Sequence, residues 1–349
     1  MSLTPFLQKV LDRRALTRGE AHDAFAELMR GEDSPVLISA LLAALRVKGE
    51  SVEEITGAAE AMREAAIAVR TDRKPLVDTC GTGGDGKSTF NVSTAAAFVV
   101  AGAGYAVAKH GNRSVSSSCG SADVLEALGI PMESDAARAE RCLEKIGLAF
   151  LFAPAFHPAM KHAMPVRKEL GVRTIFNLLG PLSNPARPTA QLMGVFDPVW
   201  VKPMAEALKR LGCEAAYVVH GQGEDEISLS GPTEVAELYQ GEVRMESWRP
   251  EDFGFKVQPP QTPAGRTAVE YSRSLLEVLN GRQGYERNVV CMNAAAAIRA
   301  AARTKGGGGK TIGLKEAAVI AQKSIDSKAA LNKLEELKEA LAPSEELNG

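Results

Sequence analysis

Residues 78–94, DTCGTGGDGKSTFNVST, set four glycines between a short apolar run and a long one, and no other stretch restricts the fold as much. Leu76 and Val77 follow Pro75 as a β-type segment, while residues 95–101 are good helix formers that bury Phe98, Val99 and Val100. Between them, Gly81, Gly83, Gly84 and Gly86 can take positive φ and let the main chain approach a ligand closely. Successive N–H groups then converge on an anion, and the helix N-terminus behind the turn adds unpaired donors and partial positive charge. A bound anion is the expected guest.

Two other readings of this loop stand beside that one. Gly81, Gly86, Lys87 and Ser88 satisfy the P-loop pattern of nucleotide hydrolases. Against it, Asp85 puts a carboxylate inside the nest, and the polar cluster Asn91, Ser93 and Thr94 follows one turn into an apolar helix. The only candidate for a second acidic element, Asp197, is followed directly by Pro198. A loose glycine loop is the other alternative, but the flanking strand and helix signals favour an ordered turn.

The rest of the chain supplies the setting. Residues 1–70 read as helices only: Thr17 with Glu20 and Ser51 with Glu54 form capping boxes, Ser34-Pro35 opens a third helix and Gly49 stops it. Ile55, Ala59, Met62 and Ala66 make one apolar face, and VLISALLAALRV is apolar on more than one side, which suits a protein interface or internal packing. From Pro75 the pattern alternates. Strands are expected at 75–79, 105–109, 148–152, 190–196 and 215–220, with helices at 90–101, 121–128, 135–146 and 198–211. Such alternation predicts a mainly parallel sheet covered by helices. AMKHAMPVRKELG reads as a helix and NLLGPLSNP as an irregular turn; 234–248 reads as a hairpin with Gln240-Gly241 at its tip. Residues 286–302 and 313–341 are expected helices, separated by TKGGGGK, expected to be a mobile loop.

Composition removes several function classes. With 41 basic against 43 acidic residues and no basic run, electrostatic binding of nucleic acid is disfavoured. Cys80, Cys119, Cys142, Cys213 and Cys291 are scattered, without metal-ligand spacing, and suit a reducing cytoplasm. The N-terminus mixes charges into its apolar residues too early for a signal peptide. Residues 88–108 carry no charge beyond that point, yet Asn91, Ser93, Thr94, Gly102 and Gly104 argue for a buried α/β core over a membrane span.

A second block, KHGNRSVSSSCGSADVLEALG at 109–129, follows another short strand. Together with GTGGD, Phe90-Asn91-Val92-Ser93-Thr94, MPVRKELG at 164–171, NLLGPLSNP at 177–185 and Asp225-Glu226, it resembles the anthranilate phosphoribosyltransferase family, in the family's order and over nearly the whole length. In that family the residue after GTGGDG varies, so the match at Lys87 is read as coincidence. The resemblance implies an α/β fold: a small all-helical N-terminal domain, 1–70 with part of about 164–185, and a larger α/β domain, 71–349, with a mainly parallel central sheet. It also implies a homodimer formed through the helical domain.

The implied reaction joins the amine of anthranilate to the ribose of 5-phosphoribosyl 1-diphosphate and releases pyrophosphate, a step of tryptophan biosynthesis in the cytoplasm. Family correspondence gives the donor-sugar contacts as Gly81, Gly84, Asp85, Thr89, Asn91, Val92, Ser93 and Thr94 on the first block. On the second they are Lys109, His110, Gly111, Asn112, Arg113, Ser114, Val115, Ser116, Ser117 and Ser121. Anthranilate contacts are Gly81, Asn112 and Arg167, whose planar guanidinium can clamp a carboxylate with two parallel bonds. Magnesium is the implied cofactor, held by Ser93, Asp225 and Glu226, since it favours one or two carboxylates beside phosphate oxygens and water. No side chain is assigned as nucleophile. His110 is a candidate for taking the proton from the arylamine, and His157, after the strand at 148–152, for lining the pocket; a structural role is the alternative for each, and neither is assigned a catalytic part. One departure is Ser118, where many members carry lysine; Ser121 still falls at the expected helix N-cap. Three other readings remain: a nucleoside phosphorylase, which the blocks at 109–113 and 164–171 speak against; a non-catalytic nucleic-acid-binding relative, which should have lost Arg167 or the acidic pair; and a P-loop hydrolase.

Overall fold

The computed structural model describes residues 2–83, 91–113, 119–133, 135–261 and 267–342. Helices α1 (Thr4–Leu11), α2 (Arg18–Arg30), α3 (Pro35–Lys48) and α4 (Val52–Glu64) open the chain. Both capping boxes form, Ser34 caps α3, and Gly31 closes α2 in the left-handed region at φ 76°. The α2–α4 contact is close because Gly57 has no side chain: a Cβ there would overlap the Arg18 carbonyl. Buried Glu54 ties the helices together by accepting from the Leu16 N–H at 2.9 Å, the Ser51 N–H at 2.8 Å and Lys48 Nζ at 2.8 Å.

The larger part runs β1 (Leu76–Gly81), α5 (Val92–Gly102), β2 (Ala106–Gly111), α6 (Ser121–Ala127), α7 (Ala136–Ile146), β3 (Leu148–Phe152), α8 (Ala153–Phe156), α9 (Met164–Leu170), α10 (Phe176–Leu179), β4 (Ala190–Gly194), α11 (Val201–Arg210), β5 (Ala215–Gly221), β6 (Thr233–Tyr239), β7 (Glu242–Trp248), α12 (Ala268–Leu279), α13 (Tyr285–Arg303), α14 (Leu314–Asp326) and α15 (Ala329–Leu341). The sheet order is β3-β2-β1-β4-β5-β6-β7. β1 to β5 are parallel, and β6 and β7 add an antiparallel edge. Chain order therefore reverses between β1 and β4, where Gly81 stands beside Gly194 at the carboxyl ends of both strands. In open α/β sheets that crevice is the ligand site.

Strand alternation feeds two cores. Leu192, Tyr217, Val219 and Val235 face α5 and the alanine-rich α13, with α14 and α15 behind. Met193, Ala216, Val218, Ala236 and Leu238 face the other way, onto α11, the N-terminal helices, and the segment from Ala163 to Leu182. Helices α9 and α10 thus pack with α1–α4 although they come a hundred residues later in sequence.

Several local expectations are corrected. The helix expected over 313–341 is two, broken where Lys328 takes φ 65°. TKGGGGK is a set of hydrogen-bonded turns, with Gly307 and Gly309 donating to the Thr304 carbonyl and Lys310 to that of Ala302; Gly306 lies so close to Lys74 that its Cβ would sit 2.8 Å away. The stretch expected as one helix around 159–171 is a 3-10 turn, Pro158–His162, followed by α9, and NLLGPLSNP holds α10 and the 3-10 turn Gly180–Leu182. Gly120, not Ser121, is the N-cap of α6; Ser121 is its first residue. Helix α12 has no counterpart among the expectations. The five cysteines are free thiols. Among the described residues, no helix is long and apolar enough to cross a membrane.

Candidate active site

The site grows from the carboxyl ends of β1, β4 and β5. Gly81, Gly194 and Gly221 end these strands, and the acidic turn rests against all three: a Cβ at Gly81 would overlap the Asp225 carboxylate, one at Gly194 the Asp225 carbonyl, and one at Gly221 would stand 2.5 Å from the Glu226 carbonyl. Asp225 is buried and Glu226 half-buried. The Gly83 N–H donates to Asp225 Oδ2 at 2.7 Å, which joins the glycine turn to the acidic turn. Thr82 is pinned too, its N–H on the Gly194 carbonyl at 3.0 Å and its Oγ1 accepting the Phe196 N–H at 2.9 Å.

Lys109, on β2, is only 3% exposed. Its Nζ donates to the Thr79 carbonyl at 2.6 Å and to Ser93 Oγ at 3.3 Å. Burial pulls its pKa down, and the charges of Asp78, Cys80 and Glu226 oppose that pull. Ser93 lies in the first turn of α5, whose N-cap is Asn91; Asn91 Nδ2 donates to the Cys119 carbonyl at 3.3 Å. Among the described residues, Asn91 Oδ1 and Thr94 Oγ1 are buried without a partner, an arrangement that native structures keep where a ligand or water completes it.

Asp78 was not singled out from sequence, and it organises the floor of this region. It is fully buried on β1 and accepts from the His110 N–H at 3.3 Å and from Asn184 Nδ2 at 2.8 Å, and Asn184 also donates to the Ala108 carbonyl at 2.8 Å. Burial pushes its carboxyl up to about 6, against the opposing pull of Lys109 and of its hydrogen bonds. The side chain of His110 sits above, its ring centroid 5.1 Å from that of His157. Burial holds His110 at about 3 and His157 at about 4, so both rings are neutral at pH 7. The main chain of Gly180 hydrogen-bonds His110 and that of Ser183 His157, while each Nε2 is buried and unpartnered.

Arg167 projects from α9, its guanidinium 5.2 Å from the centre of the Phe176 ring and 3.7 Å from Met164 Sδ. Burial lowers its pKa, and no carboxylate among the described residues pairs with it. An arginine stacked on a ring without a counter-ion is ready for an external carboxylate. Arg113 differs: it is bound by Glu126 at 2.7 Å and Asp123 at 3.1 Å beside Phe152, so contact with a diphosphate calls for an exchange of partners. Asn112 Oδ1 accepts the Arg113 N–H at 2.7 Å, and the Asn112 carbonyl receives the Ala122 N–H at the start of α6. Val92 is a core residue of α5, and Gly111 ends β2 where a Cβ would stand 2.8 Å from the Phe150 ring. Gly84, Asp85, Thr89, Ser114, Val115, Ser116 and Ser117 lie outside the described residues, as do Lys87, Ser88 and Ser118. Asp197, the second acidic group the P-loop reading requires, caps the Val199 N–H at 3.0 Å.

Comparison with known proteins agrees with this geometry. The profile described as "Glycosyl transferase family, a/b domain" matches residues 73–331, and "Glycosyl transferase family, helical bundle domain" matches 4–66. The anthranilate phosphoribosyltransferase of Symbiobacterium thermophilum is 51% identical over 334 residues, 95% of this chain and 96% of that one. The crystal structure of the Thermus thermophilus enzyme of the same name superposes with TM-score 0.89 at 45% identity, covering 96% of this chain and 98% of that one. The Saccharomyces cerevisiae enzyme, solved in complex with PRPP and Mg, gives TM-score 0.84 at 29% identity over 97% of each chain. With half of its residues identical to such a relative over almost its full length, and with the fold shared throughout, the chain belongs to the anthranilate phosphoribosyltransferase family.

Proposed function

We propose that this chain transfers the phosphoribosyl group of 5-phosphoribosyl 1-diphosphate to the amine of anthranilate and releases pyrophosphate. The observation that carries the reading is the Asp225-Glu226 turn, held against the glycine ends of β1 and β4 at the switch point, with buried Lys109 in electrostatic reach of Glu226 and hydrogen-bonded to Ser93 at the start of α5. A buried lysine beside a pair of carboxylates suits a metal-bound polyanion.

As the bond to the leaving group breaks, negative charge grows on the diphosphate. Lys109 and Ser93, hydrogen-bonded to each other at the start of α5, are donors held in place to receive it, and fixed donors cost little reorganisation at that moment. Ser93, Asp225 and Glu226 form an all-oxygen set that fits magnesium, and among the described residues no cluster of three His, Cys, Asp or Glu offers a softer site. Bound there, magnesium supplies neutralisation of the leaving group's charge. Arg167, supported by Phe176, clamps the anthranilate carboxylate, and Asn112 and the Gly81 main chain supply its other contacts. The arylamine is a sufficient nucleophile once oriented, so no covalent intermediate is assigned.

The chain is divided at about residue 70, with part of 164–185 joining the helical domain, a grouping that the shared packing of α1–α4 with α9 and α10 supports. It acts in the cytoplasm as a homodimer. Val36 and Val47 of α3 are 76% and 84% exposed, with Ala43 exposed and Ala40 half-buried on the same face, an apolar stripe that a second copy would cover. The test is the loss of anthranilate fluorescence on adding 5-phosphoribosyl 1-diphosphate with and without magnesium. Metal-dependent loss is expected, and no loss, or ATP hydrolysis in the absence of anthranilate, overturns the assignment.

A further inference from the structure

The Gly83 main-chain N–H is aimed at a carboxylate of its own chain. In a turn whose amides are to hold a diphosphate, the first anion present is Asp225 Oδ2, at 2.7 Å. The turn bearing that carboxylate is tied down on both sides and does not draw back as a unit: Glu224 exchanges main-chain hydrogen bonds with Gly221, and the Asn293 side chain accepts the Ile227 N–H at 3.0 Å and donates to the Ile227 carbonyl at 3.2 Å. Its side chain is what can move. We propose that Asp225 is a placeholder for the donor sugar's diphosphate: it occupies the Gly83 amide in the empty site, and the diphosphate takes that amide as Asp225 swings toward the metal. Gly83 thereby becomes a diphosphate donor beyond those inferred from the sequence blocks.

The energetic consequence is coupling. A diphosphate arriving alone must displace a charge-assisted hydrogen bond and meet the carboxylate's repulsion. With magnesium present, Asp225 gains another partner, so the cost of leaving Gly83 falls. By linkage, whatever factor the metal adds to diphosphate affinity, the diphosphate adds to metal affinity. The empty site meanwhile keeps the Gly83 amide hydrogen-bonded within its own chain. This inference rests on the diphosphate reading of the site and assigns the order in which its groups are released.

The test is calorimetric titration of the full-length chain with inorganic pyrophosphate, in EDTA and in magnesium chloride. In EDTA, Asp225→Ala is expected to bind pyrophosphate at least about fivefold more tightly than the wild type, a factor at the low end of site-to-site couplings. Glu226→Ala removes the same charge from the same turn but leaves the Asp225–Gly83 hydrogen bond in place, and is expected to gain clearly less affinity than Asp225→Ala. Magnesium should tighten the wild type by a larger factor than Asp225→Ala. Asp225→Ser is carried alongside, so that a misfolded alanine variant does not decide the matter. The placeholder is overturned if the Asp225 variants bind pyrophosphate no better than wild type in EDTA, or if Glu226→Ala gains as much. Failure of wild type and variants alike to bind pyrophosphate under both conditions removes the diphosphate reading and the placeholder with it.

Discussion

The proposed anthranilate specificity turns on one side chain, Arg167. Its guanidinium has an apolar support in Phe176 and, among the described residues, no carboxylate partner, which leaves a fork of donors for a ligand. Lysine keeps the charge but loses the fork and the stacking, so Arg167→Lys should raise the anthranilate KM about tenfold or more with little change in the KM for the donor sugar, measured by steady-state kinetics. An unchanged anthranilate KM would take Arg167 out of the pocket. His157 yields a stability prediction. Its folded pKa of about 4 lies below the ordinary 6.5, so the unfolded chain binds the extra proton between those values, and the stabilisation present above pH 6.5 is lost as pH falls toward 4. Between pH 7.5 and 5 the wild type should therefore lose about 2 kcal/mol more than His157→Gln in urea unfolding. Equal losses would mean that the ring is not held neutral. The raised carboxyl of Asp78 works in the opposite direction, but it is common to both proteins and cancels in the comparison. Lys109, Asn91 and Ser93 could be named as candidates because they stand inside local blocks. Asp78 and Asn184 were not: their bond joins positions 106 residues apart, and nothing in either neighbourhood announces the other.

At the scale of elements, what carried a local chemical signal was read and what depended on a distant partner was not. The capping boxes of α2 and α4 and the hairpin tip at Gln240 and Gly241, both at positive φ, have their signals within four residues. Helix α12 follows the undescribed residues 262–266, where Pro, Gly and Arg break the periodicity, and its Thr267–Glu270 capping box passed unread. The glycine run after α13 was expected to be loose because glycine is permissive, yet here Gly306 and Gly307 are small because Lys74 and the Ala301 carbonyl leave no room. Gly57 obeys the same rule, and two glycines in neighbouring helices separate packing from propensity. Gly57→Ala should destabilise the chain by about 1 to 3 kcal/mol, since its Cβ would meet the Arg18 carbonyl and the α2–α4 approach cannot widen freely. Gly19→Ala, exposed on α2 with nothing within 4 Å, should be neutral or stabilising by up to about 1 kcal/mol. Urea midpoints of the two variants decide it, and a stabilising Gly57→Ala would refute the close-approach account.

For the molecule as a whole, the parallel sheet and its helical cover followed from alternation, whereas the return of α9 and α10 to the N-terminal helices came from the family resemblance alone. No periodicity in 164–182 says which apolar surface those short helices will join; only the competition between the two sheet faces settles that. The consequence is mechanical. α9, which carries Arg167, packs with the layer built from α1–α4, while Gly81 ends a strand of the sheet, so on the proposed assignment the two substrates meet different bodies of packing. An exposed apolar stripe on α3 then matters beyond solubility, because α3 packs on α9 and anything that braces α3 braces the anthranilate clamp. Leu11 of α1, 60% exposed and on the helix that packs against α3, extends the same apolar area. Valines at both ends of a stripe are worth burying, and lysines there would set like charges against each other across a two-fold interface. Val36→Lys combined with Val47→Lys should therefore convert a dimer into a monomer in sedimentation velocity without unfolding it, because neither side chain contributes to the buried core. A wild type that sediments as a monomer, or a doubly substituted chain that remains dimeric, would place the contact elsewhere or remove it.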